Sequence, residues 1–482
     1  MVAVSELSTY SGLISGSDRA YVVGRIHPAL EEITISEFFA RTVSRYPDRE
    51  ACVFRQSGER WTWSQLSHKV DQLAAGFLAL GIYKGDRVGI WAPNKPEWVL
   101  AQFATARIGA ILVNVNPAYR RAELEYALVK VGVKVLITAE SFKTSNYLEM
   151  LGDLIPELPS CKPERLSAAR FPLLTSIIQT GAVNQAGMFR FQEIMELGSE
   201  AYLARIAGIS QKLFPDESIN LQFTSGTTGA PKAATLTHKN IINNACFVAE
   251  SMQLTQKDKL CIPVPLYHCF GMVLGNLACV AGGTTMVFPG EGFDPVDTLE
   301  ALNAERCTGV HGVPTMFSAM LNCSEFSQYD LRLLRTGIMA GAPCPIELMR
   351  DVVSKMYLDQ MTIAYGMTET SPVSFQSAVD DPIERRVSTV GRIQPHVEAR
   401  VVNESGDIVK VGEQGELHTR GYLVMRGYWD DPVRTAESID SDGWMHTGDL
   451  ATIDADGYCN IVGRVKDMLI RGGDNVYHRE IE

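Results

Sequence analysis

Short apolar strands alternate with helices along most of this chain, and that rhythm limits its fold more than any other feature. Asp86–Trp91 reads as a strand, Pro96–Ile108 as a helix, Ala110–Val113 as a strand, Arg121–Val131 as a helix and Lys134–Ile137 as a strand. Strands this short and this apolar need cover on both faces, so the segment predicts a parallel sheet wrapped by helices. The pattern returns after residue 258. Strands are expected near Leu260, over Thr284–Phe288, Thr336–Met339 and Met361–Ala364, with helices opening at Phe270, Pro295, Pro314 and Pro345. The reading is therefore α/β with two wrapped βα lobes. A hairpin is expected before them, from Ala51–Phe54 to Trp61–Trp63, and Thr62-Trp63-Ser64-Gln65 has the spacing of a capping box that opens a helix. Residues 156–193 are rich in proline and charge and read as an irregular connector. From about Ser388 the texture changes to short strands between Gly and Asp turns, a β-rich third lobe over about 388–465.

The chain has 482 residues, is 46% hydrophobic and carries a net charge of -12. It has ample material for a core, and its acidity with no Lys/Arg run argues against nucleic acid as a partner. Ten cysteines are scattered with no C-x-x-C pair, which fits free thiols in a reducing compartment. The best apolar stretch, Phe270 to Ala281, is too short to span a bilayer and carries Asn276, so a buried helix is expected there and no transmembrane segment. The first residues make a poor transit peptide, with Glu6 present and no Arg before Arg19.

Chemistry concentrates in TSGTTGAPK, residues 224–232. Gly226 and Gly229 let a loop approach a ligand, while Thr224, Ser225, Thr227 and Thr228 add hydroxyl donors. Backbone N–H groups in such a loop form an anion nest, and Lys232 adds a compact cation. A polyphosphate is the ligand this composition suits. The spacing excludes a Walker loop, because Ala230 and Pro231 separate Gly229 from Lys232.

The nine-residue string resembles the phosphate loop of the adenylate-forming (AMP-binding) superfamily, which includes acyl-CoA synthetases, luciferases and peptide-synthetase adenylation domains. Three further strings, IAYGMTETSP, WMHTGDL and VKDMLIRGGDNVYHREIE, match the same superfamily in order, so the resemblance covers about half the chain from Leu221 onward. The whole is most similar to the medium-chain acyl-CoA synthetase branch associated with mitochondria.

That resemblance implies a site. Tyr365, Gly366 and Met367 would lie at the adenine, with Gly341, Ala342 and Pro343 as the turn flanking it. Thr368 would donate to the α-phosphate and Glu369 would hold Mg²⁺, a cation that prefers carboxylate and phosphate oxygens. Asp449 would accept the ribose hydroxyls and Arg464 would add a donor. Lys466 occupies the hinge position, and Gly472 and Gly473 match the loop lining the pantetheine channel. His268 in PLYHCFG borders the acyl and thiol tunnels in relatives, but a lone histidine on an apolar segment is also a common structural residue. An apolar acyl pocket is expected between the Phe270 helix and Val310–Phe317.

The implied reaction takes a fatty acid, ATP and coenzyme A. The resemblance also implies a large domain over 1–465, a hinge and the start of a small domain over 466–482, and an adenylation lysine beyond Glu482. The expectation is that this polypeptide, impaired without that lysine, binds ATP and carboxylate but turns over poorly, if at all. Alternatives are an adenylating enzyme with a different acceptor and a non-catalytic nucleotide binder. A mitochondrial location is implied by the same likeness, with the cytoplasm as the alternative, and the sequence gives no oligomeric state.

Overall fold

A computed structural model describes residues 12–13, 18–224, 230–465, 469–471 and 474–476. Three sheets organise it. The first has eight strands in the order Phe189–Arg190, Ser176–Gln179, Val133–Thr138, Arg87–Trp91, Ile111–Asn114, Ser218–Thr224, Lys232–Thr237 and Gly427–Tyr428. Its pairings are parallel as far as Ser218–Thr224 and antiparallel for the last two strands. The second has nine strands, parallel from Gln360–Gly366 through Thr336–Ala340, Gly309–Gly312, Lys259–Cys261 and Thr285–Phe288 to Glu50–Phe54. Antiparallel strands edge it on both sides, including Glu59–Thr62 of the expected hairpin. The third sheet is antiparallel and runs through Tyr21–Val23, Val397–Val402, Gly415–Gly421, Met445–Ile453 and Cys459–Arg464.

The α/β reading with two wrapped lobes and a β-rich third lobe holds. Helices Pro96–Ile108 and Arg121–Val131 form as expected, each ended by a glycine in the left-handed region, Gly109 and Gly132. Thr62 caps helix Trp63–Ala79, accepting from the Gln65 N–H while the Gln65 side chain accepts from the Thr62 N–H. Helix Pro96–Ile108 is buried along almost its whole length, because it lies between other helices.

Two readings are corrected. Residues 156–193 are not an irregular connector: Ser176–Gln179 adds a fully buried strand beside Val133–Thr138. Two apolar residues in a four-residue strand, Ser176-Ile177-Ile178-Gln179, carry too little pattern to reveal it, and the pairing supplies the missing order. The third lobe is also not confined to the C-terminal part, since Tyr21–Val23 pairs with Val397–Val402.

The segment opening at Phe270 is a buried π-helix over Phe270–Leu277, continued by Ala278–Gly282. The nitrogen of its one amide side chain is paired, with Asn276 Nδ2 donating to Gln102 Oε1 at 2.8 Å. All ten cysteines are free. Among the described residues no helix is long and apolar enough to cross a membrane.

Candidate active site

The phosphate string is built on a hairpin. Strand Ser218–Thr224 runs antiparallel to Lys232–Thr237, and Thr224 stands opposite Lys232. A Walker loop would lead straight into a helix; here a strand follows, and the next helix begins at His238. Ser225, Gly226, Thr227, Thr228 and Gly229, the tip of the turn, lie outside the described residues.

The base of that hairpin meets the second string. Strand Gln360–Gly366 delivers Tyr365 at its C-terminal end, the edge where parallel sheets hold ligands. Gly366 is required by close approach, because a Cβ there would lie 1.7 Å from the Pro372 carbonyl oxygen. Met367 N then donates to Pro372 O at 3.0 Å and to Thr370 Oγ1 at 3.1 Å, which turns the chain into the short 3₁₀ segment Thr368–Thr370. Glu369 is buried there. Its Oε1 accepts from Thr224 Oγ1 at 3.1 Å and from the Tyr428 hydroxyl at 2.9 Å. Among the described residues both of these hydrogen bonds fall on the one oxygen. Lys232 Nζ lies over the Tyr428 ring, 4.8 Å from its centroid. Burial and the Glu369 charge raise the Tyr428 pKa, so its phenol stays a donor.

The PLYHCFG string joins from the other side. The buried Cys269 thiol donates to Gln222 Oε1 at 3.1 Å and is also in contact with Thr368, and burial pushes its pKa up to about 12. It is therefore a neutral packing group and no nucleophile. His268 reaches solvent at the start of the π-helix, its Nδ1 accepting from Phe270 N at 3.2 Å. The protein around the ring lowers its pKa by desolvation, which keeps it neutral.

A second cluster forms around Asp449. The Tyr365 hydroxyl donates to Asp449 Oδ2 at 2.6 Å, and Arg464 Nε lies 3.2 Å from Oδ1. Asp449 and Arg464 are direct cross-strand partners, so the third sheet itself sets that pair. Burial, with Asp449 close by, raises the Tyr365 pKa well above its usual value. Gly341, Ala342 and Pro343 form the exposed turn after strand Thr336–Ala340, the parallel neighbour of the strand that ends at Tyr365. Gly341 has a φ of 85°, and a Cβ there would sit 3.3 Å from Val313 Cγ1. Lys466, Gly472 and Gly473 lie outside the described residues.

The hairpin, the Tyr365–Glu369 string and Asp449 thus gather at the ends of the sheets. Residues 39–429 match the family model described as "AMP-binding enzyme". YngI of Bacillus subtilis (strain 168), whose name assigns it provisionally to the acyl-CoA synthetases, is 48% identical over 451 residues, covering 93% of this chain and 82% of YngI.

The chain belongs to the AMP-binding enzyme family.

By family it is an AMP-forming acid–thiol ligase. The zebrafish (Danio rerio) protein named medium-chain acyl-CoA ligase ACSF2, mitochondrial, is 46% identical over 466 residues, covering 96% of this chain and 77% of that protein. The crystal structure of the anthranilate CoA ligase AuaEII in complex with anthranoyl-AMP shares the fold, with a TM-score of 0.81 at 24% identity, over 94% of this chain and 82% of that one.

Sequence reading missed Tyr428, which joins Glu369 to Lys232, and Cys269, which joins three strings. For Tyr428 the available signal was the Gly-Tyr pair in RGYW, an aromatic delivered on a short strand. Nothing in the sequence marked Cys269. Where the acyl pocket is expected, the Phe270 and His311 rings lie 5.3 Å apart and both residues are buried. His311 is held neutral, its pKa lowered by burial to about 4. A cavity of about 530 Å³ opens elsewhere, lined by Lys84, His238, Arg426 and Trp429, and shares only Tyr428 with the cluster above.

Proposed function

We propose that this chain activates a medium-chain fatty acid as its adenylate and passes the acyl group to coenzyme A. The observation that carries the reading is the double convergence: Thr224 and Tyr428 on Glu369 beside Lys232, and Tyr365 with Arg464 on Asp449.

In the first half-reaction a carboxylate oxygen bonds the α-phosphorus of ATP and pyrophosphate leaves with the electron pair. In the second, the coenzyme A sulfur bonds the acyl carbon, its proton goes to solvent, and AMP leaves. This chemistry rests on positioning and charge. Lys232, Thr368 and the donors of the phosphate turn (Ser225, Gly226, Thr227, Thr228, Gly229) stabilise the phosphate oxygens. Asp449 accepts the ribose hydroxyls, held in place by Tyr365 on one oxygen and Arg464 beside the other. Tyr365, Gly366 and Met367 face adenine with Gly341, Ala342 and Pro343. A buried carboxylate whose hydrogen bonds, among the described residues, fall on one oxygen fits a hard cation, so Glu369 would hold Mg²⁺, which when bound offsets the phosphate charge. His268 borders the acyl and thiol path. Lys466, Gly472 and Gly473 belong to a hinge and pantetheine loop, with the large domain ending at residue 465.

The medium-chain preference and a mitochondrial location are supported by the likeness to ACSF2. Pyrophosphate exchange and product analysis test the whole reading, run with short, medium and long fatty acids and with and without coenzyme A. Acid-dependent exchange that is greatest with medium chains, and a thioester formed only with coenzyme A, are expected. Exchange that needs no fatty acid, or a product independent of coenzyme A, overturns it.

A further inference from the structure

The third sheet carries a cluster that the nucleotide chemistry does not use. Glu416 and His418 are two apart on strand Gly415–Gly421, so their side chains leave on one face. His446, on strand Met445–Ile453, is the direct cross-strand partner of His418. The imidazoles lie face to face, with centroids 4.0 Å apart and planes within 10°. One donor atom from each of Glu416, His418 and His446 lies within 4.8 Å of the other two, a grouping found only here among the described residues. His418 Nε2 is 3.4 Å from Glu416 Oε2, and Asp440 Oδ2 is 3.6 Å from His446 Nε2.

The nitrogens are unusual in a second respect. His418 is only 5% exposed. Its Nε2 and that of His446 are both buried, and among the described residues neither completes a hydrogen bond, each being left with only a long approach to a carboxylate. Buried polar atoms left this way are costly, about 1–3 kcal/mol each. Each faces its own carboxylate, His418 towards Glu416 and His446 towards Asp440.

We propose that Glu416, His418 and His446 form a binding site for a divalent transition-metal ion of the zinc class, with Asp440 as the fourth ligand. Two imidazoles with carboxylates suit borderline cations, whereas Ca²⁺ and Mg²⁺ take all-oxygen shells. The carboxylates are already oriented by outer contacts. Glu416 Oε1 accepts from Gly448 N at 3.1 Å, which turns Oε2 to the histidines. Asp440 Oδ1 accepts from Asp442 N and Trp444 N, each at 2.9 Å, which turns its Oδ2 the same way. Metal–imidazole bonds are about 2.0–2.1 Å, so the donors must draw together. The side chain able to move is that of His446, which is 37% exposed where the His418 side chain is buried.

One group opposes loading. Arg400 Nη2 lies 3.5 Å from His418 Nδ1 and 3.5 Å from Asp440 Oδ2, with its guanidinium over the Trp444 ring at 4.2 Å. When Nε2 ligates a cation, the imidazole proton sits on Nδ1 and faces that guanidinium. Arg400 must yield, and its charge weakens the site.

Titration of the metal-free chain with Zn²⁺ and Co²⁺, read by calorimetry and visible absorption, tests the assignment. One equivalent with the intense spectrum of four-coordinate cobalt and no thiolate band is expected. His418→Ala and His446→Ala should each weaken binding by at least about tenfold, and Arg400→Gln should tighten it. Unchanged stoichiometry and affinity in the folded double variant His418→Ala/His446→Ala overturns the proposal. Should that variant unfold, X-ray absorption at the zinc edge of the loaded wild-type chain decides: imidazole scattering from two ligands supports the site, and sulfur or oxygen-only shells overturn it.

Discussion

Glu369 and Asp449 are both buried carboxylates that accept a hydrogen bond from a phenol, yet their remaining partners differ in kind. Glu369 takes Tyr428 and Thr224, two neutral donors, on a single oxygen. Asp449 takes Tyr365 on one oxygen and the Arg464 guanidinium beside the other. Neutral donors orient a carboxylate and leave its charge in place, which suits a site facing a cation. A guanidinium offsets the charge, which suits a site that faces uncharged hydroxyls. Two acidic residues of similar burial are therefore prepared for different ligands by what surrounds them.

The contrast can be broken by mutation. The largest effect is expected beside Glu369: Lys232→Ala should lower adenylate formation by about 10²–10³, measured as pyrophosphate exchange. Asp449→Asn should act on nucleotide affinity, costing about 1.5–3 kcal/mol for a hydrogen bond to a charged group, roughly 10–100-fold in the Kd for ATP. Its Mg²⁺ midpoint should not move. Tyr428→Phe should shift that midpoint by about tenfold through the loss of an orienting contact, with ATP affinity at saturating Mg²⁺ unchanged. Tyr365→Phe is the smallest, about 1 kcal/mol or fivefold in ATP affinity, again without moving the midpoint. Equal midpoint shifts in the two phenylalanine variants would mean that the two carboxylates are not specialised as described.

How much of this was legible in the sequence followed the range of the signal. Pro96–Ile108 and Arg121–Val131 were readable because proline or charge opens them and Gly109 or Gly132 closes them. The Thr62–Gln65 capping box is a four-residue feature and was equally plain. The candidate site was readable at its strings, since glycines, hydroxyls and a lysine at fixed spacing leave few other uses. What the sequence hid was long-range pairing. Ser176–Gln179 becomes a strand only beside Val133–Thr138, and Tyr428 gains its place only because Gly427–Tyr428 pairs with residues 234–235. The π-helix at Phe270 was read as an ordinary helix, because apolar residues throughout give no period to measure.

That two-residue strand has a wider consequence. Gly427–Tyr428 comes from the stretch of chain between strands of the third sheet, yet it caps the open edge of the first sheet at Lys232–Thr237. Backbone groups that would otherwise invite a foreign strand are occupied. The lobes are laced together rather than threaded in series. A fragment cut near residue 388 would lose the clasp on its nucleotide hairpin, so the three lobes should melt as one cooperative body.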